Sequence, residues 1–597
     1  MSTTGSNLNF EKLRPGETPF GVGPFASRRS TVMGTKGIAS SSNPLASAAG
    51  IKILELGGNA ADAAIAVAAA LNVTEPCSTG IGGDAFCLFW NEKEKTVKGL
   101  NGSGRSPGKL TLEMLKNKGL KQIPLTSVHS VTVPGTAASW VDAHERFGSG
   151  KVTLSQILAP AISLAEDGFP VHEFTGQAWT ASENKLKGAS PNGNEMLLPN
   201  GKAPKAGDIM RLPNLAKTFR ALAEGGKEAF YRGRIAKSIV EVCKSLGGCM
   251  ELDDLEYHLK VGTEPIEPIS YEYGATKEGA GDGVTLHECP PNGQGLVALI
   301  ALGILDALQR NGKVADLTKL EHNSTDYLHA LIEALRYGFA DAHQYIADPN
   351  HGGSDRVKEL LSRSYLDHRA SSFDPAKQIE IKHGNPTFSS DTVYMSCSDS
   401  EGNACSFIQS NYAGFGSCII PKGCGFTLAN RCCTFRFEEN YPNSVGPRKR
   451  PYNTIIPAMA TKRGKDGKPE LFLSYGVMGG FMQPQGHVQV LLNLLRGFTP
   501  QAAIDAPRFC IGAGTPDQGA MDSTIHMENG IDESTIEELN RRGHIAKPAK
   551  TWNERVVFGR GQIIARIKTD VHHPNDKGWA WAAGSDPRAD GCAIAQI

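Results

Sequence analysis

The stretch of residues 391–417 constrains the fold more than any other part of the chain, because it predicts a β-hairpin of fixed register. Residues 393–398 alternate with the period of two that is typical of a strand, and residues 404–410 form a second β-prone run. Between the two runs, Gly402 suits the left-handed position of a three-residue loop over residues 400–402. The chain is therefore predicted to contain at least one antiparallel strand pair.

The register of this hairpin predicts that two hydroxyl groups meet. A loop of residues 400–402 is centred on Glu401, and both Thr392 and Ser410 lie nine positions from that centre. Facing residues in a hairpin have Cβ atoms roughly 4.5–5.5 Å apart. We therefore expect Thr392 to face Ser410 where the strand pair ends. Taken alone, a Thr–Ser pair is also typical of an ordinary hairpin, so its meaning depends on other motifs.

Composition argues against two broad classes of function. The 62 Lys and Arg residues balance the 62 Asp and Glu residues, and apolar residues make up 40% of the 597. A balanced chain of this kind has no net field to attract nucleic acid or an anionic membrane, while it has ample material for a core. We expect neither a nucleic-acid partner nor a membrane partner.

Several features predict a cytoplasmic protein. Residues 1–33 are polar and rich in Gly, Ser and Pro, without the apolar segment of a signal peptide. The longest apolar run, residues 60–73, is too short to cross a bilayer. The thirteen cysteines are odd in number and form no C-x-x-C motif, which favours buried thiols over disulfide bonds.

No motif in the sequence predicts a metal or a cofactor. His329 and Glu333 lie one helical turn apart, but no third ligand is near them in sequence, so helix packing is the favoured interpretation. The glycine-rich turn at residues 79–83 lacks the spacing of a phosphate-binding loop, and no G-x-S-x-G motif of a serine hydrolase is present.

Local signals predict both helices and strands in runs rather than in strict alternation. Asn43-Pro44 opens a helix that Gly57-Gly58 ends, and Asn59 caps a second helix of small residues that ends before Glu75-Pro76. Residues 130–135 predict a short strand, and residues 482–495 predict a helix. Such runs are typical of antiparallel sheets flanked by helices, an α+β arrangement.

A set of short motifs, in this order and spacing, resembles the γ-glutamyltransferase family of N-terminal-nucleophile hydrolases over nearly the whole chain. One motif alone is weak, whereas their joint order is highly specific. The motifs are Gly57 to Ala64, Glu75-Pro76 with Gly80 to Gly83, Val133 to Gly135, Pro290-Pro291 with Gln294-Gly295, Asp391-Thr392, Gly402-Asn403, Phe415-Gly416, Arg450-Pro451, Gly479-Gly480 and Ser585 to Arg588.

The resemblance implies a four-layer αββα sandwich and a precursor that cuts its own chain. Cleavage is implied between Asp391 and Thr392. The resulting pieces, a large subunit of residues 1–391 and a small catalytic subunit of residues 392–597, are implied to stay together as one globular unit. The partners expected from the sequence are thus a small-molecule amide and the two fragments themselves, and a homo-oligomer stays open.

The resemblance also implies roles for four residues. Thr392 would be the nucleophile, and its own α-amine, with an ordinary pKa of roughly 7.7–8.0, would be the base once the chain is cut. Ser410 would orient the Thr392 hydroxyl. The backbone N–H groups of Gly479 and Gly480 would form the oxyanion hole, which stabilises the negative oxygen of the tetrahedral intermediate.

The substrate-binding positions depart from the family pattern. Where glutathione-active members carry a carboxylate-binding Arg, this chain has Ser103, with Arg105 two residues later. Positions that grip the α-amino group, and a neighbouring pair of serines, correspond here to Tyr412, Arg431, Thr434, Asn453 and Thr454. Gaining Arg431 while losing an acid inverts the local charge, so an acyl group with a carboxylate and no ammonium suits this pocket better.

The sequence leaves three functions open. Residues 409–416 resemble the cytoplasmic, γ-glutamyltransferase-like branch, which includes oxamate amidohydrolase and cephalosporin-acylase-like proteins. One hypothesis is an amidase or acyltransferase acting on γ-glutamyl donors such as glutathione or its conjugates, and another is an amidase for small carboxylates or a glutaryl acylase. The third is a processed but inactive homologue that binds a partner. Transfer versus hydrolysis is undecided by the sequence.

Overall fold

The computed structural model describes residues 29–274, 283–380, 391–512, 524–549 and 553–597. Its strands in these ranges are β1 Val32–Gly34, β2 Ile38–Ser41, β3 Asp84–Asn91, β4 Thr96–Gly102, β5 Phe169–Pro170, β6 Ile209–Met210, β7 Glu264–Ile266, β8 Ile269–Tyr273, β9 Val284–Glu288, β10 Asp391–Ser398, β11 Ala404–Tyr412, β12 Ala458–Arg463, β13 Pro469–Met478, β14 Phe509–Ile511, β15 Thr524–Met527, β16 Ile545–Pro548, β17 Arg560–Lys568, β18 Trp579–Ser585 and β19 Cys592–Ala595.

The α-helices in the same ranges surround these strands. They are α1 Pro44–Glu55, α2 Ala60–Thr74, α3 Leu112–Asn117, α4 Thr136–Phe147, α5 Leu154–Asp167, α6 Glu173–Ala189, α7 Pro213–Tyr231, α8 Gly233–Ser245, α9 Leu252–Val261, α10 Gly295–Arg310, α11 Thr325–Tyr345, α12 Val357–Leu360, α13 Arg363–Ser371, α14 Met482–Leu495, α15 Pro500–Asp505 and α16 Glu533–Arg541.

Two seven-stranded sheets form the centre of the fold. The first sheet has the order β1-β18-β17-β13-β12-β9-β8, and the second has the order β19-β2-β10-β11-β3-β4-β7. Every neighbouring pair in both sheets is antiparallel. The hairpin predicted from the sequence, β10–β11, therefore lies in the interior of the second sheet rather than at an edge.

Alternating side chains divide the interior into three apolar layers. Between the sheets, Trp90 and Tyr394 from the second sheet pack with Met459, Ile564 and Trp581 from the first. On its outer face, the first sheet packs against α10, α11 and α14. The outer face of the second sheet packs against α1, α2, α4, α5 and α7. This arrangement confirms the predicted α+β sandwich of four αββα layers.

The helix α2 shows how local signals fix the elements beside the second sheet. Asn59 accepts hydrogen bonds from the N–H groups of Ala61 and Asp62, and Asp62 accepts from the N–H of Asn59, which closes a capping box. Every residue of α2 is buried, and the helix packs against α1, α5 and the strands β10 and β11. Its alanines allow this close approach, as the composition of the segment predicts.

The short strand predicted at residues 130–135 is wrong. The structure has a single 3₁₀ turn, Val128–Ser130, followed by irregular chain. The backbone N–H of Val133 donates to the carbonyl of Arg105, and that of Gly135 donates to the carbonyl of Gly83. These two bonds go to separate loops, and Pro134 has no N–H to donate. No strand ladder therefore forms.

His329 takes part in helix packing, which is the interpretation favoured from its position on α11. Its Nδ1 lies 2.7 Å from Nε2 of His544, and its Nε2 lies 2.8 Å from the carbonyl oxygen of Asp374. Burial, together with the charges of His329, Arg336 and Arg542, lowers the pKa of His544 to about 3. This imidazole is therefore neutral in the folded protein at neutral pH.

We expect the substitution His544→Gln to weaken the acid sensitivity of the fold. An unfolded His has a pKa of about 6.5, so the unfolded chain gains protons first as the pH falls, and the wild type loses about 2 kcal/mol of stability at pH 5 from this residue. Urea unfolding at about pH 7 and about pH 5 measures the effect. The midpoint should fall less in the variant, and an equal fall in both proteins would contradict the assignment.

Candidate active site

Thr392 lies at the start of β10, on the face of the second sheet that looks toward the first. On β10, Val393 and Met395 pack into the layer beside the helices, whereas Tyr394 packs between the sheets. The Ser396 hydroxyl lies 2.7 Å from that of Ser474 in the first sheet. Because strand side chains alternate, the even-numbered residue Thr392 belongs to the face between the sheets.

The two hydroxyl groups expected to meet are in contact. From Val393↔Gln409 to Ser398↔Ala404 the register is the predicted one, and it shifts by one residue only at Asp391↔Tyr412. Oγ1 of Thr392 donates a hydrogen bond of 3.1 Å to Oγ of Ser410, and both side chains are buried. The shift is a β-bulge, which ends the regular pairing at this point.

Tyr412 connects this hydroxyl pair to an arginine. Its backbone N–H donates to Oγ of Ser410 at 2.8 Å, and its φ of +81° is rare for a residue with a side chain. Cζ of Arg431 lies 4.4 Å from the centre of the Tyr412 ring. Strained backbone of this kind is found at functional sites, where surrounding structure holds it in place.

Asp84 anchors the guanidinium of Arg431 beside the strand that carries Ser410. It is the ladder partner of Ser410 across β3 and β11. Its Oδ2 accepts from Nε of Arg431 at 3.1 Å and from Nδ2 of Asn453 at 3.0 Å, while its Oδ1 accepts from the N–H of Gly104 at 2.7 Å. The sequence-based expectation of an inverted charge at Arg431 is thus incomplete, because Asp84 balances it.

Gly479 and Gly480 form a tight turn between β13 and α14. Their φ angles are +129° and +58°, and a Cβ on Gly479 would lie 3.0 Å from Cα of Gly559. Within the described ranges neither N–H donates to an acceptor, while the carbonyl groups of both accept from the first turn of α14. The N-terminus of a helix adds a partial positive charge at such a turn.

Gln294 ties this glycine turn to the arginine group. Its Nε2 donates to the carbonyl oxygen of Gly480 at 2.8 Å and to that of Thr454 at 2.6 Å. Oγ1 of Thr454 in turn accepts from Nη1 of Arg431 at 2.9 Å. A continuous set of contacts therefore runs from Thr392 to Gly480.

The structure does not bring two of the predicted substrate-binding side chains into this group. Nη2 of Arg105 donates to Glu264 at 2.6 Å, where Nη1 of Arg450 also pairs at 2.6 Å. Burial and the neighbouring charge of Arg450 lower the pKa of Arg105. The hydroxyl of Thr434 contacts the carbonyl oxygens of Arg431 and Tyr452 at 2.9 and 2.8 Å. Both residues hold loops in place.

One residue beside Thr392 was missed by the sequence reasoning. Nη2 of Arg560 lies 3.4 Å from the carbonyl oxygen of Thr392 and 3.2 Å from Oγ of Ser78, and Nη1 donates to Glu75 at 2.7 Å. Phe174 lies against the same guanidinium, with its ring centre at 4.2 Å. The sequence signal that could have identified Arg560 is a charged residue at the first position of the apolar strand β17.

The described residues show no metal centre and no membrane segment. No group of three or more His, Cys, Asp or Glu side chains in these ranges is arranged to hold a metal ion. None of the helices in the described part of the chain combines the length and the apolar character that crossing a bilayer requires.

Two packed antiparallel sheets with helices on both outer faces form the fold of the N-terminal-nucleophile hydrolases. The chain belongs to the γ-glutamyltranspeptidase family. The model of this family, described as Gamma-glutamyltranspeptidase, matches residues 46–596. It is thus an amide hydrolase or acyltransferase of that family.

Relatives of several activities match almost the whole chain. The glutathione hydrolase-like YwrD proenzyme of Bacillus subtilis is 35% identical over 94% of this chain and 99% of its own length. The oxamate amidohydrolase proenzyme of Klebsiella pneumoniae is 32% identical with the same coverage of both chains. The crystal structure of cephalosporin acylase from Bacillus halodurans is 37% identical, with a TM-score of 0.82 over 98% of this chain and 99% of that chain.

We expect Arg560→Gln to move the acidic limb of the pH–rate profile. In the mature chain expected from the sequence, which begins at Thr392, a cation beside the α-amine disfavours protonation of that amine. Removing the cation, and leaving Glu75 unpaired, should shift the limb upward by about one pH unit in the hydrolysis of an acyl anilide.

The matched variant Arg560→Lys keeps the positive charge and should keep the limb near its wild-type position. If Gln and Lys variants share one profile, charge at this position does not act on the reacting group.

Proposed function

We propose that the chain is a self-processing amide hydrolase whose nucleophile is Thr392. The observation that carries this proposal is the hydroxyl pair of Thr392 and Ser410, 3.1 Å apart and buried at the start of an inner strand. The peptide bond between Asp391 and Thr392 comes directly before this residue, and the family resemblance implies cleavage at that bond.

Self-cleavage begins at the Asp391 carbonyl. Oγ1 of Thr392 bonds to that carbonyl carbon and loses its proton, the C–N bond breaks, and the nitrogen takes up a proton to become an amine. Water then hydrolyses the resulting ester, which leaves a carboxylate on Asp391 and a free hydroxyl on Thr392. Before this step the nitrogen is a peptide nitrogen and has no basicity, so cleavage creates the base.

Turnover repeats the same chemistry on an external amide. The α-amine takes the proton of Oγ1, Oγ1 attacks the acyl carbon, and the proton passes to the departing amine. Ser410 positions Oγ1 through its hydrogen bond, and in this proposal the N–H groups of Gly479 and Gly480 stabilise the developing oxyanion. Water, or an acceptor amine, then releases the acyl group from Thr392.

The two fragments, residues 1–391 and 392–597, stay together in this proposal. The first sheet takes β1, β8 and β9 from the large fragment and β12, β13, β17 and β18 from the small one. The second sheet takes β2, β3, β4 and β7 from the large fragment and its remaining strands from the small one. Neither fragment closes a core by itself, so they act as subunits of one globule.

The substrate is a small-molecule amide. Names of the similar proteins include a glutathione hydrolase-like proenzyme, an oxamate amidohydrolase and a cephalosporin acylase, so γ-glutamyl amides and amides of other acids are both candidates. In the described ranges the glycine turn, the hydroxyl pair and Arg431 are all in place, which favours an enzyme over an inactive binding protein.

We place the protein in the cytoplasm. None of the described cysteines takes part in a disulfide bond. Burial raises the pKa of Cys243 and that of Cys510 to about 12, so these thiols are protonated and unreactive. A chain rich in buried thiols suits a reducing compartment.

The variant Thr392→Ala should remain a single polypeptide and hydrolyse no amide, because it lacks the attacking oxygen. Wild-type protein should run as two bands on a denaturing gel, and N-terminal sequencing of the smaller band should begin at Thr392. Thr392→Ser is the control, since it keeps a hydroxyl and should be cut more slowly. An uncut wild type, or cleavage of Thr392→Ala at the same bond, would refute the proposal.

Gly479→Ala should lower kcat by about 10²- to 10³-fold, the loss that follows removal of one oxyanion donor. Alanine is strained at a φ of +129° and would turn the N–H away. Gly467→Ala is the matched control, because it has a φ of +79° in an open surface turn. Rates measured on processed protein should differ between the variants, and equal kcat values would exclude Gly479 from the oxyanion hole.

A further inference from the structure

We propose that Arg431 and Thr454 form a binding site for a carboxylate on the acyl group of the substrate. The substrates are then amides of dicarboxylic acids that carry no ammonium group beside this carboxylate. This inference rests on the proposed function, because it concerns the acyl group that Thr392 receives, and it chooses between the substrate classes left open above.

Arg431 has an unused donor inside the protein. Its side chain is fully buried, Nε donates to Asp84, and Nη1 donates to Thr454. Nη2 is buried and has no hydrogen-bond partner among the described residues. A buried guanidinium nitrogen without an acceptor is unfavourable, so a ligand that supplies an oxygen here gains affinity.

Thr454 supplies a second donor next to the first. Its Oγ1 accepts from Nη1 of Arg431, and its own hydroxyl hydrogen has no acceptor in the described part of the chain. Its backbone is fixed by Gln294, which also holds Gly480. Two adjacent donors match the two oxygens of a carboxylate, and the guanidinium edge has the planar geometry that a carboxylate prefers.

The position of this group places it on the acyl side of the reacting centre. Asp84, which anchors Arg431, faces Ser410 in the ladder, and facing residues have Cβ atoms roughly 4.5–5.5 Å apart. Tyr412 covers one face of the guanidinium and is bonded through its N–H to Ser410. An acyl group attached to Oγ1 of Thr392 therefore has Arg431 within the reach of a short chain.

Among the described residues, the carboxylate that an ammonium group would meet beside Arg431 already has three donors. The neighbouring carboxylate, Asp84, already accepts from Arg431, Asn453 and the N–H of Gly104. An ammonium placed there would face the positive guanidinium and would share a carboxylate that already accepts from three donors. The γ-glutamyl group carries such an ammonium next to its carboxylate, whereas the glutaryl group is the same chain without it.

Three anilides that share one leaving group test the inference on wild-type protein. The p-nitroanilides of glutaryl, γ-glutamyl and pentanoyl groups present a carboxylate, a carboxylate with an ammonium, and neither. We expect kcat/KM for the glutaryl anilide to exceed that for each of the others by about 10- to 100-fold. Oxamate, malonamate and succinamate, compared with acetamide, propanamide and butanamide, extend the test to shorter acyl chains.

The variant Arg431→Gln should remove this preference. The ratio of kcat/KM for the carboxylate substrate to that for the neutral one, measured on self-cleaved protein, should fall by about 10- to 100-fold. Arg566→Gln is the matched control. Arg566 also forms an ion pair, with Glu92 at 2.6 Å, but it lies further along β17 than Arg560. Its ratio should stay at the wild-type value.

A second variant covers the case in which Arg431→Gln fails to fold. Thr454→Val keeps Arg431 and removes one donor, so the same ratio should fall by about tenfold, and Thr454→Ser should restore it.

The inference is overturned if no carboxylate-bearing amide is used faster than its neutral counterpart, or if the γ-glutamyl anilide is preferred. Failure of the proposed function gives a different result. In that case the wild-type chain stays uncut and Thr392→Ala has no effect, so Thr392 is not the nucleophile.

Discussion

Antiparallel pairing of β10 with β11 is the constraint on which the rest of the site depends. Since the side chains of each strand alternate, the pairing decides which residues face the helices and which face the opposite sheet. A register one residue different would move Thr392 into the apolar layer around α2. The glycine at position 402, with φ +96°, closes the loop that sets this register. The bulge at Asp391 then releases the hydroxyl pair from regular pairing.

Buried ion pairs surround the hydroxyl pair and hold it rigidly. Arg431 with Asp84 and Arg560 with Glu75 are almost fully excluded from solvent. Taking such charges out of water is expensive, and the attraction within each pair offsets it only when further hydrogen bonds are present. Both pairs have them, from Asn453 in one case and Ser78 in the other. The arrangement contributes geometry to the site more than it contributes stability to the fold.

Sequence reasoning succeeded where local rules act and failed where distant segments meet. The hairpin register and the caps at Asn43 and Asn59 follow from turn and capping chemistry over a few residues. The contact between Asp84 and Arg431, 347 positions apart, follows from the packing of the whole sheet, so the balance of charge at Arg431 was not visible. Residues 130–135 have strand composition, but the loops around them take up their hydrogen bonds, and packing overrides propensity.

Under the proposed function, the division of both sheets between the two sides of the Asp391–Thr392 bond makes maturation a one-way event for folding as well as for chemistry. Before the cut, folding is a unimolecular process, in which β10 is held between segments of one chain. After the cut, a molecule that unfolds separates into two partners that must find each other again, so recovery depends on protein concentration. The persistence of the mature enzyme is then governed by how slowly it opens rather than by how readily it refolds.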